Sequence, residues 1–416
     1  MKTIMHSTVA TPPVALSPNP AGHRPATEYN VPIGRLRAFV TALVVAHHAV
    51  LAYHPWAPPP PASLDSPIRW WLAFPVVDAQ RWTGWALFVG WNDSFFMALM
   101  FFLSGLFAWS SLRRKGSSGF ALGRLLRLGV PFVLAAGVLA PLAYYPAYLQ
   151  TPAEHHSVIT FWSQWRALGT WPAGPAWFIW VLLAFGCLAA SLYKVAPHWA
   201  ESVNRAASLA LHRPSMFAAI LILVSGVAYV PMAAHFGPLD WKMWGPFAIQ
   251  TSRLFLYAVY FAAGLIVGTG SADQTLFSAD GRLAKRWIIW VATALVAFIA
   301  ASAISIMAIT NNSAPRLFGF LSLAAMPVSC AASSLALMAV FVRFAKSRRP
   351  VLESFGIAAY GVYLVHYPLV TWTQYALLPW QQSALLKGVA VTTAGILLSW
   401  ALVALARRSR LVARFI

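Results

Sequence analysis

The sequence predicts an all-α fold: a polytopic membrane bundle of about ten transmembrane helices with both termini in the cytoplasm. Three observations lead there. The chain is 59% hydrophobic and 10% charged, where soluble domains carry about 25% charged residues. Apolar stretches long enough to cross a hydrocarbon core recur along its length. Lys and Arg gather between alternate stretches, as the positive-inside rule requires.

The ten stretches lie near 35–53, 90–110, 125–148, 174–193, 215–234, 251–269, 287–309, 318–342, 355–378 and 386–406. Asn92, Asp93 and Pro131 interrupt the second and third. Residues 1–32 are rich in Pro, Ser, Thr and Ala and read as a disordered cytoplasmic tail. Residues 33–406 form the membrane domain, and 407–416 a basic cytoplasmic tail. No cleavable signal is evident, so the first stretch is expected to serve as an uncleaved start. Residues 54–89 and 149–173 form sizeable loops on the far side, each bearing several tryptophans, which most simply make an interfacial belt.

The net charge of +20 follows this topology. Arg113, Arg114, Lys115, Arg124, Arg127, Lys194, Arg205, Arg213, Arg282, Lys285, Arg286, Arg343, Lys346, Arg348 and Arg349 fall on the side of the termini. That pattern points to membrane lipid and excludes nucleic acid as the partner. The two cysteines, Cys187 and Cys330, both fall inside apolar stretches and support neither a disulfide framework nor a metal site. The sequence carries no Walker loop, dinucleotide fingerprint or zinc-helix motif, and no bound metal or permanent cofactor is expected.

Four groups of residues stand out as chemistry. His48 follows Arg37 by eleven positions, which places it about 16 Å along a helix and near the bilayer centre. An ionisable group at that depth is costly and has a job or a partner; apolar surroundings favour its neutral, basic form. His47 is adjacent, and only one of the two can squarely face a given partner. Arg124 and Arg127 put two guanidinium groups on one helix face at the cytoplasmic mouth of the third stretch, suited to phosphate oxygens, although their spacing alone points first to topology-setting charge. Tyr360, Tyr363, His366 and Tyr367 share a stripe on the ninth stretch, with His366 at the same depth as His48. Ser104-Gly105 in the second stretch reads as a close helix contact rather than a nucleophile. Asp93, near the outer end of that stretch, is an anion that could orient an imidazole, bind an acceptor hydroxyl, or sit at the water interface and do neither.

Taken in order, these residues resemble the acyltransferase-3 family of integral membrane O-acyltransferases. Arg37-x10-His48, Phe101 to Gly105, Arg124-x-x-Arg127 before Pro131, and Tyr360 to His366 before Pro368 each resemble a family landmark. Pro175-Ala176-Trp177-Phe178 resembles the start of its fourth helix. No carboxylate stands two positions before Phe101-Phe102, a departure that is closest to the glucan succinyltransferase-like branch. The resemblance implies transfer of an acetyl- or succinyl-like group from cytosolic acyl-CoA, as co-substrate, to a hydroxyl of an extracytoplasmic sugar or small molecule at the cell (inner or plasma) membrane. It implies catalytic roles for His48, Arg37, His366 and Tyr363, donor binding by Arg124 and Arg127, and acceptor binding by Asp93 and Trp177. The chain shows no C-terminal hydrolase-like domain after the last stretch, so the membrane part or a separate extracytoplasmic partner is expected to complete transfer. A transporter of a glycan or small acid is the competing reading.

Overall fold

The structure is a computed structural model that describes residues 31–206, 212–270, 276–310 and 315–416. The expected N-terminal tail lies outside the described residues except for Val31 and Pro32, which already open the first helix. The helices in chain order are α1 (Val31–Val50), α2 (Thr83–Arg124), α3 (Val130–Leu134), α4 (Ala140–Leu149), α5 (Val158–Ala167), α6 (Trp177–Val195), α7 (Trp199–Ala206), α8 (Pro214–Phe236), α9 (Leu254–Val267), α10 (Arg282–Lys285), α11 (Trp287–Thr310), α12 (Pro315–Phe344), α13 (Pro350–Ala376) and α14 (Ala384–Ala406). Two short strands, β1 (Trp241–Trp244) and β2 (Phe247–Gln250), pair antiparallel across Gly245-Pro246.

Seven helical stretches among the described residues are long and apolar enough to cross a membrane. One of them, Thr83–Leu149, runs 67 residues, about 100 Å if straight and over three times a hydrocarbon thickness. It is not straight. Gly116, at φ 68° and ψ 174°, breaks it, and both ends return to the same loop: Trp82 N–H donates to Tyr53 O and the Gln150 amide brackets the backbone of Val77. Two of the predicted stretches thus share one continuous element that doubles back. The predicted stretch at 251–269 is a shorter helix, and the one at 355–378 falls in α13 except for its last two residues, and α13 is not among the seven.

Asn92, Asp93 and Pro131 do not interrupt their helices. Asn92 is buried inside α2 and its amide donates to Leu43 O of α1 at 3.0 Å. The third stretch accommodates its prolines by widening into π-helix at Leu125–Gly129 and Ala135–Leu139. Three carbonyls that Pro131, Pro141 and Pro146 leave without an amide donor are each taken by an aromatic side chain from elsewhere. Tyr360 Oη donates to Arg127 O at 2.8 Å, Trp171 Nε1 to Ala136 O at 2.7 Å, and Trp372 Nε1 to Leu142 O at 2.9 Å.

The bundle core lies between α1, α2, α6, α9, α12 and α13. The crossing of α2 and α9 is glycine-mediated: a Cβ on Gly105 would sit 2.1 Å from Phe261 O, and one on Gly264 2.0 Å from Phe102 O. Ser104 Oγ bonds back to Met100 O, so Ser104-Gly105 is a packing feature, as its sequence suggests. At the other extreme, α11 buries only Ala294 and leaves Ile288, Leu295, Val296 and Ile299 exposed, a face suited to lipid rather than water.

The far-side loops are more structured than expected. The first runs from His54 to Trp82, because α2 starts earlier than predicted, and the second contains α5, capped by Ser157 Oγ on Thr160 N–H. Trp71 and Trp165 are fully buried in a cluster with Tyr144, Tyr148 and Phe161. Trp56 and Trp70 stay exposed, so the loop tryptophans divide between a local core and a surface belt. Lys387, in the first turn of α14, forms a 2.6 Å ion pair with Asp78 of the first loop, at 1% and 3% side-chain exposure.

Candidate active site

Helices α1 and α13 pack side by side and bring the two histidines of equal predicted depth together. His366 Nε2 lies 3.4 Å from His48 Nδ1, with ring centroids 5.1 Å apart. The hydrogen bonds assign the ring protons. His366 Nδ1 is 2.6 Å from Tyr363 O, and His48 Nδ1 is 2.8 Å from Val44 O. A carbonyl oxygen only accepts, so both Nδ1 atoms carry hydrogen. His366 Nε2 then offers a lone pair to the single His48 Nδ1–H, which Val44 O already accepts at the shorter distance, and Nε2 of His48, the remaining lone-pair nitrogen, has no hydrogen-bond partner among the described residues. His366 is fully buried; His48 is partly exposed.

Aromatic rings enclose the pair. Tyr367 stands edge-on to His48 at 5.1 Å, Tyr363 lies 5.8 Å from His366, and Tyr144 packs edge-on to Tyr367 at 5.6 Å. Tyr363 and Tyr367 also line a small cleft whose other walls include Pro175, Ala176, Ile179 and the second π segment. Tyr363 Oη donates to Pro175 O, tying the start of α6 to the cleft wall. Gly174 sits beside it at φ 55°, and a Cβ there would come within 3.0 Å of the Tyr367 ring.

Arg37 stands eleven residues before His48 on α1. Its guanidinium donates to Gly356 O at 3.3 Å, one turn before Tyr360 on α13. Tyr360 in turn holds Arg127 O, and Arg124, stacked on Phe120 at 4.9 Å, has Arg127 and Tyr360 as electrostatic neighbours. Arg37, Arg124 and Arg127 therefore gather around the first turns of α13. His366 is six residues past Tyr360 on the same helix, about 9 Å further along the axis. Arg127 is exposed and Arg124 partly buried.

His47 turns the other way. It stacks on Phe96 at 5.1 Å and faces the Asp93–Arg253 pair. Arg253, with 6% of its side chain exposed, holds Asp93 by 2.6 Å and 2.8 Å bonds to Oδ2 and the backbone carbonyl. Tyr257, one turn on from Arg253, stacks on Trp177 at 5.7 Å and on Phe101 at 5.0 Å. Asp93 and Trp177 thus belong to one cluster, joined by Arg253 and Tyr257, neither of which the sequence singled out, and the His47 ring, 5.3 Å from that of His48, stands between this cluster and the histidine pair. Arg253 lay in view as an arginine at the start of an apolar stretch, the one available signal. Among the described residues no group of three or more His, Cys, Asp or Glu is placed to hold a metal, and Cys187 and Cys330 are both free thiols.

The acyltransferase-3 family, described as an acyltransferase domain, matches residues 33–404. Nothing among curated proteins or solved structures matches the chain. The match spans every element that carries the histidine pair, the arginine group and the aromatic cleft, and the chain belongs to the acyltransferase-3 family: it is an acyltransferase built as a multi-pass membrane protein.

Proposed function

We propose that the chain is a membrane-embedded O-acyltransferase that moves an acetyl- or succinyl-like group from cytosolic acyl-CoA to a hydroxyl of an extracytoplasmic sugar or small molecule. In this reading the chain crosses the cell (inner or plasma) membrane ten times with both termini cytoplasmic. Charge placement supports that orientation: Arg35, Arg37 and Arg113 to Lys115 lie at the helix ends opposite the structured loops.

The observation that carries the reading is the His48–His366 pair with Nε2 of His48 free. His48 Nε2 takes the proton of the acceptor hydroxyl as its oxygen attacks the thioester carbonyl. Val44 O, which accepts from His48 Nδ1–H, holds the ring in its productive tautomer, and the His366 Nε2 lone pair beside that N–H helps stabilise the imidazolium that forms. Collapse of the tetrahedral intermediate breaks the C–S bond, and the proton leaves with coenzyme A as free thiol. Tyr363 and Tyr367 shape the cleft in which the thioester lies. Arg124 and Arg127 hold donor phosphates, and Arg37 supports that end of the site rather than the chemistry. Asp93 and Trp177 hold the acceptor, the carboxylate reading hydroxyls and the indole an apolar face.

The test is purified protein with radiolabelled acetyl-CoA or succinyl-CoA, read as release of free coenzyme A. General-base assistance contributes about 10²–10⁴-fold, so His48→Ala is expected to lose that factor while remaining folded. A folded His48→Ala variant with near wild-type transfer sinks the assignment. Substrate flux without thioester consumption would establish the transporter reading instead.

A further inference from the structure

Gln374 is 2% exposed, buried on α13 two turns beyond His366. A primary amide so enclosed needs partners, and it has an unusual pair. Its Nε2 donates to His48 O and to Ala49 O, both at 2.9 Å. These carbonyls lie in the last turn of α1, just before the chain tightens into a 3₁₀ turn at Leu51–Tyr53. Carbonyls in the last turn of a helix lack regular intrahelical donors and must be satisfied from outside. One side chain here satisfies two, and one of the two belongs to the residue assigned as the base.

We propose that Gln374 is the positioning residue of His48: it fixes the backbone of the base while His366, on the same helix, fixes its ring. The argument is geometric. The imidazole of His48 is held at Nδ1 by Val44 O and His366 Nε2. Those bonds set ring rotation, but not where the end of α1 sits relative to α13. The only side-chain bonds from α13 to the α1 backbone near His48, among the described residues, are those of Gln374. Because α13 also supplies Tyr363 and Tyr367 to the cleft wall, Gln374 places the base and the cleft in one frame. The proposal rests on the assignment of His48 as base, and its test separates the two.

Gln374→Met keeps the side chain's length and removes the donor. Two readouts are taken on folded, monodisperse protein in detergent. The first is steady-state consumption of radiolabelled acetyl-CoA. Displacing a reacting group by about 1 Å costs up to about 100-fold, so kcat is expected to fall about 10- to 100-fold, with KM for acetyl-CoA changed less than about threefold. A role confined to stability would lower the melting temperature and leave kcat per folded molecule unchanged, and that outcome overturns the proposal. The second readout needs no turnover: the rate at which diethyl pyrocarbonate modifies His48, followed by peptide mass spectrometry and normalised to the exposed His198 and His235. With the α1 end released, the normalised rate is expected to rise severalfold. A rate equal to wild type overturns the proposal whatever the substrates prove to be. If the wild-type protein consumes no acetyl-CoA but the modification rate rises, the positioning role stands and the donor assignment falls. Gln374→Asn, which keeps an amide but draws it back by one methylene, is used if the Met variant fails to insert, with the same expected results.

Discussion

The Tyr360 hydroxyl donates to Arg127 O across 2.8 Å, and that carbonyl is free because Pro131, four residues on, has no N–H to give it. A tyrosine of α13 therefore fixes the backbone of the arginine assigned to donor phosphate. The same helix one turn earlier receives Arg37 through Gly356 O, so the mouth of the site is organised around α13 rather than around the π segment that bears the guanidinium.

Tyr360→Phe removes that hydroxyl and little else. Loss of one hydrogen bond to a backbone carbonyl is worth about 0.5–1.5 kcal/mol, so the KM for acyl-CoA is expected to rise about two- to tenfold with kcat nearly unchanged. Steady-state kinetics at varied acetyl-CoA measure both. A variant whose KM matches wild type would mean that Arg127 does not depend on this contact, and a fall in kcat alone would move Tyr360 to the chemical step.

The Asp78–Lys387 pair makes a separate claim about stability. With both side chains almost fully enclosed, removing one partner leaves a buried charge unmatched, at a cost of about 3–5 kcal/mol. Asp78 also caps Gln80 N–H at 2.8 Å, and Lys387 Nζ lies 3.4 Å from Leu378 O, so the pair fastens the first loop to the start of α14. Lys387→Met is expected to lower the thermal midpoint in detergent markedly. Adding Asp78→Asn, which keeps the cap and removes the charge, is expected to recover most of the loss. A double variant no more stable than the single would show that the loop depends on the lysine itself and not on charge balance.

How much of this was legible in the sequence follows from which interactions are local. The matched depth of His48 and His366 could be read from two helix registers counted from their basic ends, because depth in a bilayer is a one-dimensional coordinate, but their contact could not, since separate interhelical hydrogen bonds give the same pattern. The close contact at Ser104-Gly105 was equally readable, since small residues in an apolar helix have few other uses. The π segments were not. Leu125–Gly129 and Ala135–Leu139 hold their geometry because Tyr360 and Trp171 donate from distant segments, and no local pattern announces a donor that arrives from elsewhere. Arg253 and Lys387 stand in the sequence as charges at the ends of apolar stretches, yet each is buried on a carboxylate; composition reports a charge but not its partner. The β1–β2 hairpin has its local signal in Trp-Lys-Met-Trp-Gly-Pro, a turn dipeptide after an aromatic run, set between two long apolar stretches.

Gly264 gives the sharpest test of the packing itself. In an apolar solvent, helices gain little from burying apolar surface and depend on close backbone approach. Here Gly264 faces Phe102 O while Gly105, one turn along α2, faces Phe261 O, so each helix offers a glycine to the other's carbonyl. Gly268 repeats the contact against Leu106 O at 2.3 Å. In Gly264→Ala the new methyl would lie 2.0 Å from a backbone oxygen and 2.9 Å from Leu106 N, and neither can swing aside as a side-chain tip can. The two helices must separate, which is expected to cost about 1–3 kcal/mol or more. The internal control is Gly226→Ala on α8, where a Cβ meets nothing within 4 Å. Relief of glycine's backbone entropy there is expected to stabilise by about 0.5–1 kcal/mol. Thermal unfolding of the two variants in the same detergent should therefore move in opposite directions. Equal shifts would show that the α2–α9 crossing tolerates separation and that these glycines are not what holds it.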